Sequence, residues 1–259
     1  MSRRGSVITL TTDFGNADPW VGIMKGVIAG INPDAAVIDL THGISPQNIR
    51  EAAFVLLVGT PFFPKGTVHV AVVDPGVGGD RRALAVETPD CLLVGPDNGV
   101  LSWAFRGVEG AVVREIREAG YIREPVSSTF HGRDVFAPAA AHLSRGVRIG
   151  ALGPPVADPV ILEFPRTTKD GRTIRGEVLY IDRFGNLMTN IRPDDRQGVR
   201  EVVIGNTTIR GLSAYYGEGG DGQAIALVGS TDFLEIAVNR GSAAERLGAR
   251  VGDEVRVSL

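Results

Sequence analysis

The stretch Asp74-Pro-Gly-Val-Gly-Gly-Asp-Arg-Arg82 puts a carboxylate and a guanidinium seven residues apart across a glycine-rich turn. A tight turn of this kind can fold Arg81 back toward Asp74, so that both groups and exposed backbone amides surround one small cavity. The plainer alternative is a β-turn carrying a surface ion pair. Gly76-Val-Gly-Gly79 lacks the third glycine of a dinucleotide fingerprint, and no Gly-Lys-Ser/Thr follows to make a Walker-type phosphate loop. Asp13, in Thr11-Thr-Asp-Phe-Gly15, is either a turn-forming aspartate or a ligand contact. Asp18, five residues on, reads locally as a helix N-cap. Asp13-Phe-Gly15 and His131-Gly-Arg-Asp134 echo kinase motifs, but in reversed order and without a Val-Ala-Ile-Lys strand or a phosphate loop, so a kinase is rejected.

Of the four histidines, His69 alternates with valines inside a strand and His142 lies on a helix, which suits structural roles. His131 follows Ser127-Ser-Thr-Phe130 at a helix entrance, where functional groups often collect. No His-x-His, His-Glu-x-x-His or EF-hand spacing occurs, so no metal site is expected. In the second half, Asp182-Arg-Phe-Gly-Asn186 ends a strand with an acid, an aromatic, a glycine and an amide. An exposed Phe184 can stack on a flat ring while Asn186 reads its edge; a simple hairpin turn fits equally well.

The elements that position these groups change character along the chain. Ser6–Thr12, Ala36–Thr41, Thr67–Val73, Ala83–Val86 and Leu92–Val94 read as strands. Helical periodicity runs from Trp20 to Ile31, with Asp18 as cap and Pro19 in first position. A second helix is expected from Ser45-Pro46 to about Gly59, and a third from Arg133 to Ser144 with Pro138 in its first turn or kinking it. Alternating strands and helices imply an α/β layer with a largely parallel sheet, where ligands bind beyond the carboxyl ends of strands. Asp13 and Asp74 both stand at such ends.

Residues 163–172 are polar and turn-rich, as a linker would be. Beyond them come short strands at 176–182, 187–191, 201–204, 207–209, 224–228, 234–238 and 254–258, with a hairpin turn at Gly205-Asn206. Ser242-Ala-Ala-Glu245 fits a capping box for a short helix that Gly248 stops. The expected organisation is an N-terminal α/β domain over residues 1–163 and a smaller antiparallel, barrel-like β domain over 164–259.

The 259 residues carry 27 basic and 30 acidic side chains, a net charge of −3, so no electrostatic footprint for nucleic acid exists. One cysteine, Cys91, excludes an intrachain disulfide framework. No apolar run approaches a membrane span, and the basic Met1–Ser6 stretch leads into too short an apolar segment for secretion; a cytoplasmic protein is expected. Glycine, at 34 residues, is the outlier of the composition and clusters beside the acids named above.

Taken together, Thr11–Gly15, Asp74–Gly78, Arg81-Arg82, Ser128–Asp134, Asp182–Asn186 and Leu234–Leu247 resemble, in order and over nearly the whole chain, the S-adenosyl-L-methionine (SAM) hydroxide adenosyltransferases. These adenosine-forming SAM hydrolases are related to the SAM-dependent fluorinases and chlorinases. The resemblance implies hydrolysis of SAM to adenosine and L-methionine with no metal or other cofactor. It also implies a homotrimer that binds SAM between one subunit's N-terminal domain and its neighbour's C-terminal domain. The family's catalytic aspartate, arginine and histidine fall on Asp74, Arg81 and His131, and its ribose-binding aspartate on Asp13. Asp18, Asp182 and Ser230 correspond to residues near the methionine amine; Phe184 and Asn186 match the adenine segment, and Tyr215 an aromatic wall of the base pocket. Thr231 stands where the halogenases carry an arginine after that serine, which leaves Arg240 or a backbone amide to anchor the methionine carboxylate. Fluorinases carry an extra loop before the Asp-Pro-Gly segment, whereas Pro61–Gly66 runs straight into the strand here. A halogenase on the same scaffold and a non-catalytic SAM or adenosine sensor are the competing readings, with a metal-dependent phosphoesterase behind them.

Overall fold

The computed structural model describes residues 6–192 and 198–259; the Met1–Gly5 stretch weighed above as a leader lies outside them. The chain divides into two compact units, Met1–Leu162 and Glu163–Leu259.

The first unit runs β1 (Val7–Thr12), α1 (Trp20–Ile31), β2 (Ala36–Thr41), α2 (Ile49–Gly59), β3 (Thr67–Val72), β4 (Ala83–Glu87), β5 (Cys91–Pro96), α3 (Ser102–Phe105), β6 (Val112–Glu115) and α4 (Ala137–Ser144). Its sheet has the order β2-β1-β3-β5-β4-β6. The pairings β1–β2, β1–β3 and β3–β5 are parallel, and β4 pairs antiparallel with β5 and β6. β3 is buried at every position because both sheet faces are covered. Val68, Val70 and Val72 join Met24, Ile28 and Phe136 in one core, while Ala71 and Val73 join Leu56, Leu101 and Phe105 in another. Thr12 pairs with Val72, so the two following loops, with Asp13 and Asp74, leave the sheet side by side.

Several boundaries differ from the sequence expectation. Asp18 is not the cap of α1: Pro19 holds that position and no side chain closes the end. The second helix starts at Ile49, not at Ser45-Pro46, because the Asn48 side chain accepts the Glu51 N–H and fixes the first turn there. The third helix is two pieces, a π-helical turn at Gly132–Phe136 followed by α4, with Pro138 in the first turn of the latter.

The second unit runs β7 (Thr168–Asp170), β8 (Thr173–Ile181), β9 (Leu187–Thr189), β10 (Glu201–Ile204), β11 (Thr207–Arg210), β12 (Ala224–Val228), β13 (Leu234–Val238), α5 (Ala243–Leu247) and β14 (Glu254–Ser258). All its pairings are antiparallel, in the order β11-β10-β14-β8-β9-β13-β12, with β7 added to β8. The terminal strands β11 and β12 lie in contact, which nearly closes a barrel. Val178, Leu187, Val202, Leu234, Ile236, Val255 and Val257 fill it. The segment read as a linker thus contains strand β7, whose Lys169 pairs with Ile174. Ser242 caps α5 through the Glu245 N–H, and Gly248 ends it in the left-handed conformation.

Candidate functional site

Past β3 the chain turns twice, with Val77 N–H donating to Asp74 O and Gly79 N–H to Gly76 O. The turn returns Arg81 onto Asp74: Nε donates to Oδ1 at 2.9 Å and to Oδ2 at 3.1 Å, and Nη2 also reaches Oδ2. Nη2 further contacts His131 Nδ1 at 2.6 Å. Guanidinium nitrogens only donate, so Nδ1 is the acceptor and the imidazole proton sits on Nε2. Burial, with the Arg81 charge next, lowers the His131 pKa and favours this neutral form. The Asp74 and Arg81 side chains are nearly buried, at 5% and 11% exposure, and the guanidinium lies over the Phe136 ring.

A backbone contact holds the loop of His131 against this turn. Gly78 has φ +78°, and a Cβ there would lie 2.1 Å from Ser128 O, so the turn and the 127–129 segment touch main chain to main chain. The loop that carries His131 is pinned by Asp134, which is fully buried. It accepts from Arg133 Nε (2.7 Å) and Nη2 (2.8 Å), Arg123 Nη1 (3.2 Å) and Ser127 N–H (2.9 Å). Burial alone would raise its pKa, but these donors lower it on balance.

A cavity of about 440 Å³ opens over this group, lined among others by Asp13, Asp18, Asp74 and His131. Phe14 and Trp20 both stand edge-on to Phe130 along its wall. Asp13 Oδ2 accepts the Gln47 N–H at 2.8 Å, which leaves acceptor capacity on both oxygens. Beneath it, Thr12 Oγ1 bonds His42 Nδ1 (2.9 Å) and accepts the Phe14 N–H (3.2 Å), while Gly15 N–H donates to His42 O.

The second unit holds its own concavity, about 540 Å³, lined by Asp182, Phe184, Asn186, Tyr216, Val238, Asn239, Arg240 and Gly241. Asp182 Oδ1 accepts the N–H groups of Phe184 and Asn186, both at 2.9 Å, and Oδ2 accepts Asn186 Nδ2 at 3.0 Å. The amide orientation of Asn186 is therefore fixed, and Phe184 stands 76% exposed at the rim.

Of the ten predicted site residues, Asp13, Asp18, Asp74 and His131 meet in the first cavity, with Arg81 bridging Asp74 and His131. Asp182, Phe184 and Asn186 meet in the second, whereas Tyr215 and Ser230 do not line it. Tyr216, the residue after Tyr215, does line it; both tyrosines are exposed, Tyr215 at 61% and Tyr216 at 46%. Ser230 sits in the exposed turn between β12 and β13. The sequence reading missed Trp20, Phe130, Gln47 and Asp134. The first two were findable as aromatics flanking the acidic and histidine motifs. Among the described residues, no three His, Cys, Asp or Glu side chains cluster as metal ligands would, and no helix is long and apolar enough to cross a membrane.

The chain matches the SAM hydroxide adenosyltransferase N-terminal domain over residues 8–153 and the C-terminal domain of the same family over residues 176–256. A protein of Thermus thermophilus named (R)-S-adenosyl-L-methionine hydrolase is 42% identical over 253 residues, spanning 95% of this chain and 97% of that protein. A fluorinase of Nocardia brasiliensis is more distant, at 26% identity over 99% of this chain and 98% of its own. Among solved structures, an uncharacterized conserved protein from Thermotoga maritima superposes with a TM-score of 0.92 at 36% identity, covering 97% of this chain and all of the other.

Proposed function

The chain belongs to the SAM hydroxide adenosyltransferase family, and from that premise we propose that it hydrolyses SAM to adenosine and L-methionine, with no metal or other cofactor. Water attacks C5′ of the adenosyl group. The C5′–O bond forms as the C5′–S bond breaks, and sulfur leaves with the electron pair as the neutral thioether of methionine. A sulfonium needs no acid to depart, so the protein has only to align and activate the oxygen nucleophile. The observation that carries this reading is the Arg81 bridge between Asp74 and His131 on the cavity wall.

Arg81 stabilises hydroxide character on the attacking water. His131 Nδ1 is engaged by Arg81 and its Nε2 carries a proton, so it orients the water as a donor. The lone pairs left in the group belong to Asp74, which takes the water proton. Asp13 accepts the ribose hydroxyls. Asp18, Asp182 and Ser230 serve the methionine ammonium, and Phe184 and Asn186 the adenine ring, with Tyr216 in the place assigned to Tyr215. The carboxylate of methionine falls to Arg240, which lines the second cavity. The proposed assembly is a cytoplasmic homotrimer; the reacting group and the base-reading group lie in different units, as an arrangement in which neighbouring subunits supply them to one SAM requires.

The test is incubation with SAM, with and without chloride and with and without a chelator, followed by identification of the nucleoside. Adenosine with one equivalent of methionine is expected under all four conditions. A 5′-chloro nucleoside, dependence on metal, or tight binding of SAM without turnover each overturns the hydrolase reading. Light scattering should give a mass three times that of the chain.

A further inference from the structure

Strand β13 is buried along its whole length, and four of its five side chains are apolar. The exception is Glu235, 3% exposed, paired across the ladder with Met188 on β9 and Leu227 on β12. A carboxyl group taken out of water is costly unless a donor meets it. The donor here is the Tyr216 hydroxyl, 2.7 Å from Oε1. Oε2 lies against Gly229, where an added Cβ would come within 2.6 Å of it and displace the carboxylate. Tyr216 opens a single 3-10 turn, Tyr216–Glu218, and its ring is part of the wall that faces Asp182, Phe184 and Asn186. The acid that the catalytic reading leaves unused thus lies behind Tyr216, one of the two aromatics that line the second cavity.

We propose that Glu235 is a positioning residue for nucleoside recognition: through the Tyr216 hydroxyl it fixes that ring as one wall of the second cavity, and so sets affinity for the adenosyl group without touching it. The proposal rests on the SAM reading above. Burial pushes the Tyr216 phenol up to about 12, with the bond to Glu235 adding to it, so the phenol keeps its proton and remains a donor across neutral pH.

Four variants test it: Glu235→Met, which keeps volume and removes the acceptor; Glu235→Gln, which keeps an acceptor oxygen; Tyr216→Phe; and the double variant Y216F/E235M. The readouts are kcat and KM for SAM, Kd for adenosine by calorimetry, and melting temperature. Glu235→Met should raise KM and the adenosine Kd about 5–10-fold, the worth of one hydrogen bond. Its kcat should stay within about twofold, because the reacting groups lie in the other unit. Glu235→Gln should restore affinity to within about twofold, and Glu235→Met should add nothing in the Tyr216→Phe background. A merely structural Glu235 would lower the melting temperature and leave KM and Kd alone, which overturns the proposal, as does an undiminished effect in the Tyr216→Phe background. If Glu235→Met does not fold, Tyr216→Phe decides, since it leaves β13 intact; wild-type KM and Kd there overturn the idea. A protein that binds adenosine without turning over SAM sinks the hydrolase reading while the Kd series still judges Glu235. A wild-type protein that binds no adenosine sinks the positioning role.

Discussion

The two cavities are held together by different kinds of contact. In the first unit the groups proposed to react come from positions 74, 81 and 131, and the bond that completes them spans fifty residues of chain. They are side chains bonded to side chains, Asp74 and Arg81 almost out of water, over a main-chain contact at Gly78 that tolerates no Cβ. In the second unit Asp182, Phe184 and Asn186 come from five consecutive residues and bond within their own turn. Chemistry needs a fixed three-way geometry, which only the tertiary fold supplies; presenting a ring and an amide edge needs only a well-formed turn. The sharpest way to break this contrast is Arg81→Ala, which removes the centre of the three-way group. We expect kcat for SAM to fall about 10²–10³-fold with KM within about threefold, as for loss of a charge-stabilising donor. Steady-state kinetics that show full activity, or a change confined to KM, would remove Arg81 from the reacting group.

Phe184→Ala probes the other side and should leave the opposite trace. Loss of an aromatic face under a base is worth roughly 1–3 kcal/mol, so KM should rise about tenfold or more while kcat stays within about twofold. The melting temperature should not move, because the ring is 76% exposed. Equal losses in kcat and kcat/KM would mean that the second cavity acts in the transition state, and the division of labour between the units would fail.

The same contrast explains which features are legible in the sequence alone. Strands β10, β12, β13 and β14 run over the residues expected for them as short apolar runs between turns, and Ser242 and Gly248 bound α5 as a capping box and a left-handed glycine require. These are local codes. Strand β7 escaped because Thr168-Lys-Asp170 is exposed and polar throughout; its strand character is imposed by pairing with β8. The start of α2 was misplaced because Ser45-Pro46 offers a plausible cap, while the winning bond is Glu51 N–H to Asn48, just past Gln47 with its φ of +64°. At the site, the return of Arg81 onto Asp74 was readable from the glycines between them. That His131 joins them was not, since it rests on Gly78 meeting Ser128 and on Asp134 gathering Arg123, Arg133 and Ser127. Tyr216 and Tyr215 are indistinguishable by type, and only the bond to the buried Glu235 tells that it is Tyr216 whose hydroxyl is held.

Mild acid should separate the units by the smallest but most diagnostic effect. All four histidines lie in the first unit. His69 is fully buried in β3, with Nδ1 on Thr9 Oγ1 at 2.8 Å and the Phe63 ring edge-on, and burial pushes its pKa down to about 4. The unfolded chain, with a histidine pKa near 6.5, binds that proton more readily, so this stability is full above 6.5 and is lost as pH falls toward 4. Between pH 7.5 and 6 the loss is about 1 kcal/mol. His131 and His142 are lowered too, by burial first, and act in the same direction. Glu235 has the opposite sign: burial raises its carboxyl above the usual value, so the folded second unit holds that proton more tightly than the unfolded chain and gains stability as pH falls. Hydrogen exchange at pH 7.5 and 6, corrected for intrinsic rates, should therefore show β3 peptides losing protection while β13 peptides hold or gain it. Equal losses in both would mean that the units unfold as one, and that the proposed division, one unit for reaction and one for recognition, does not extend to their stability.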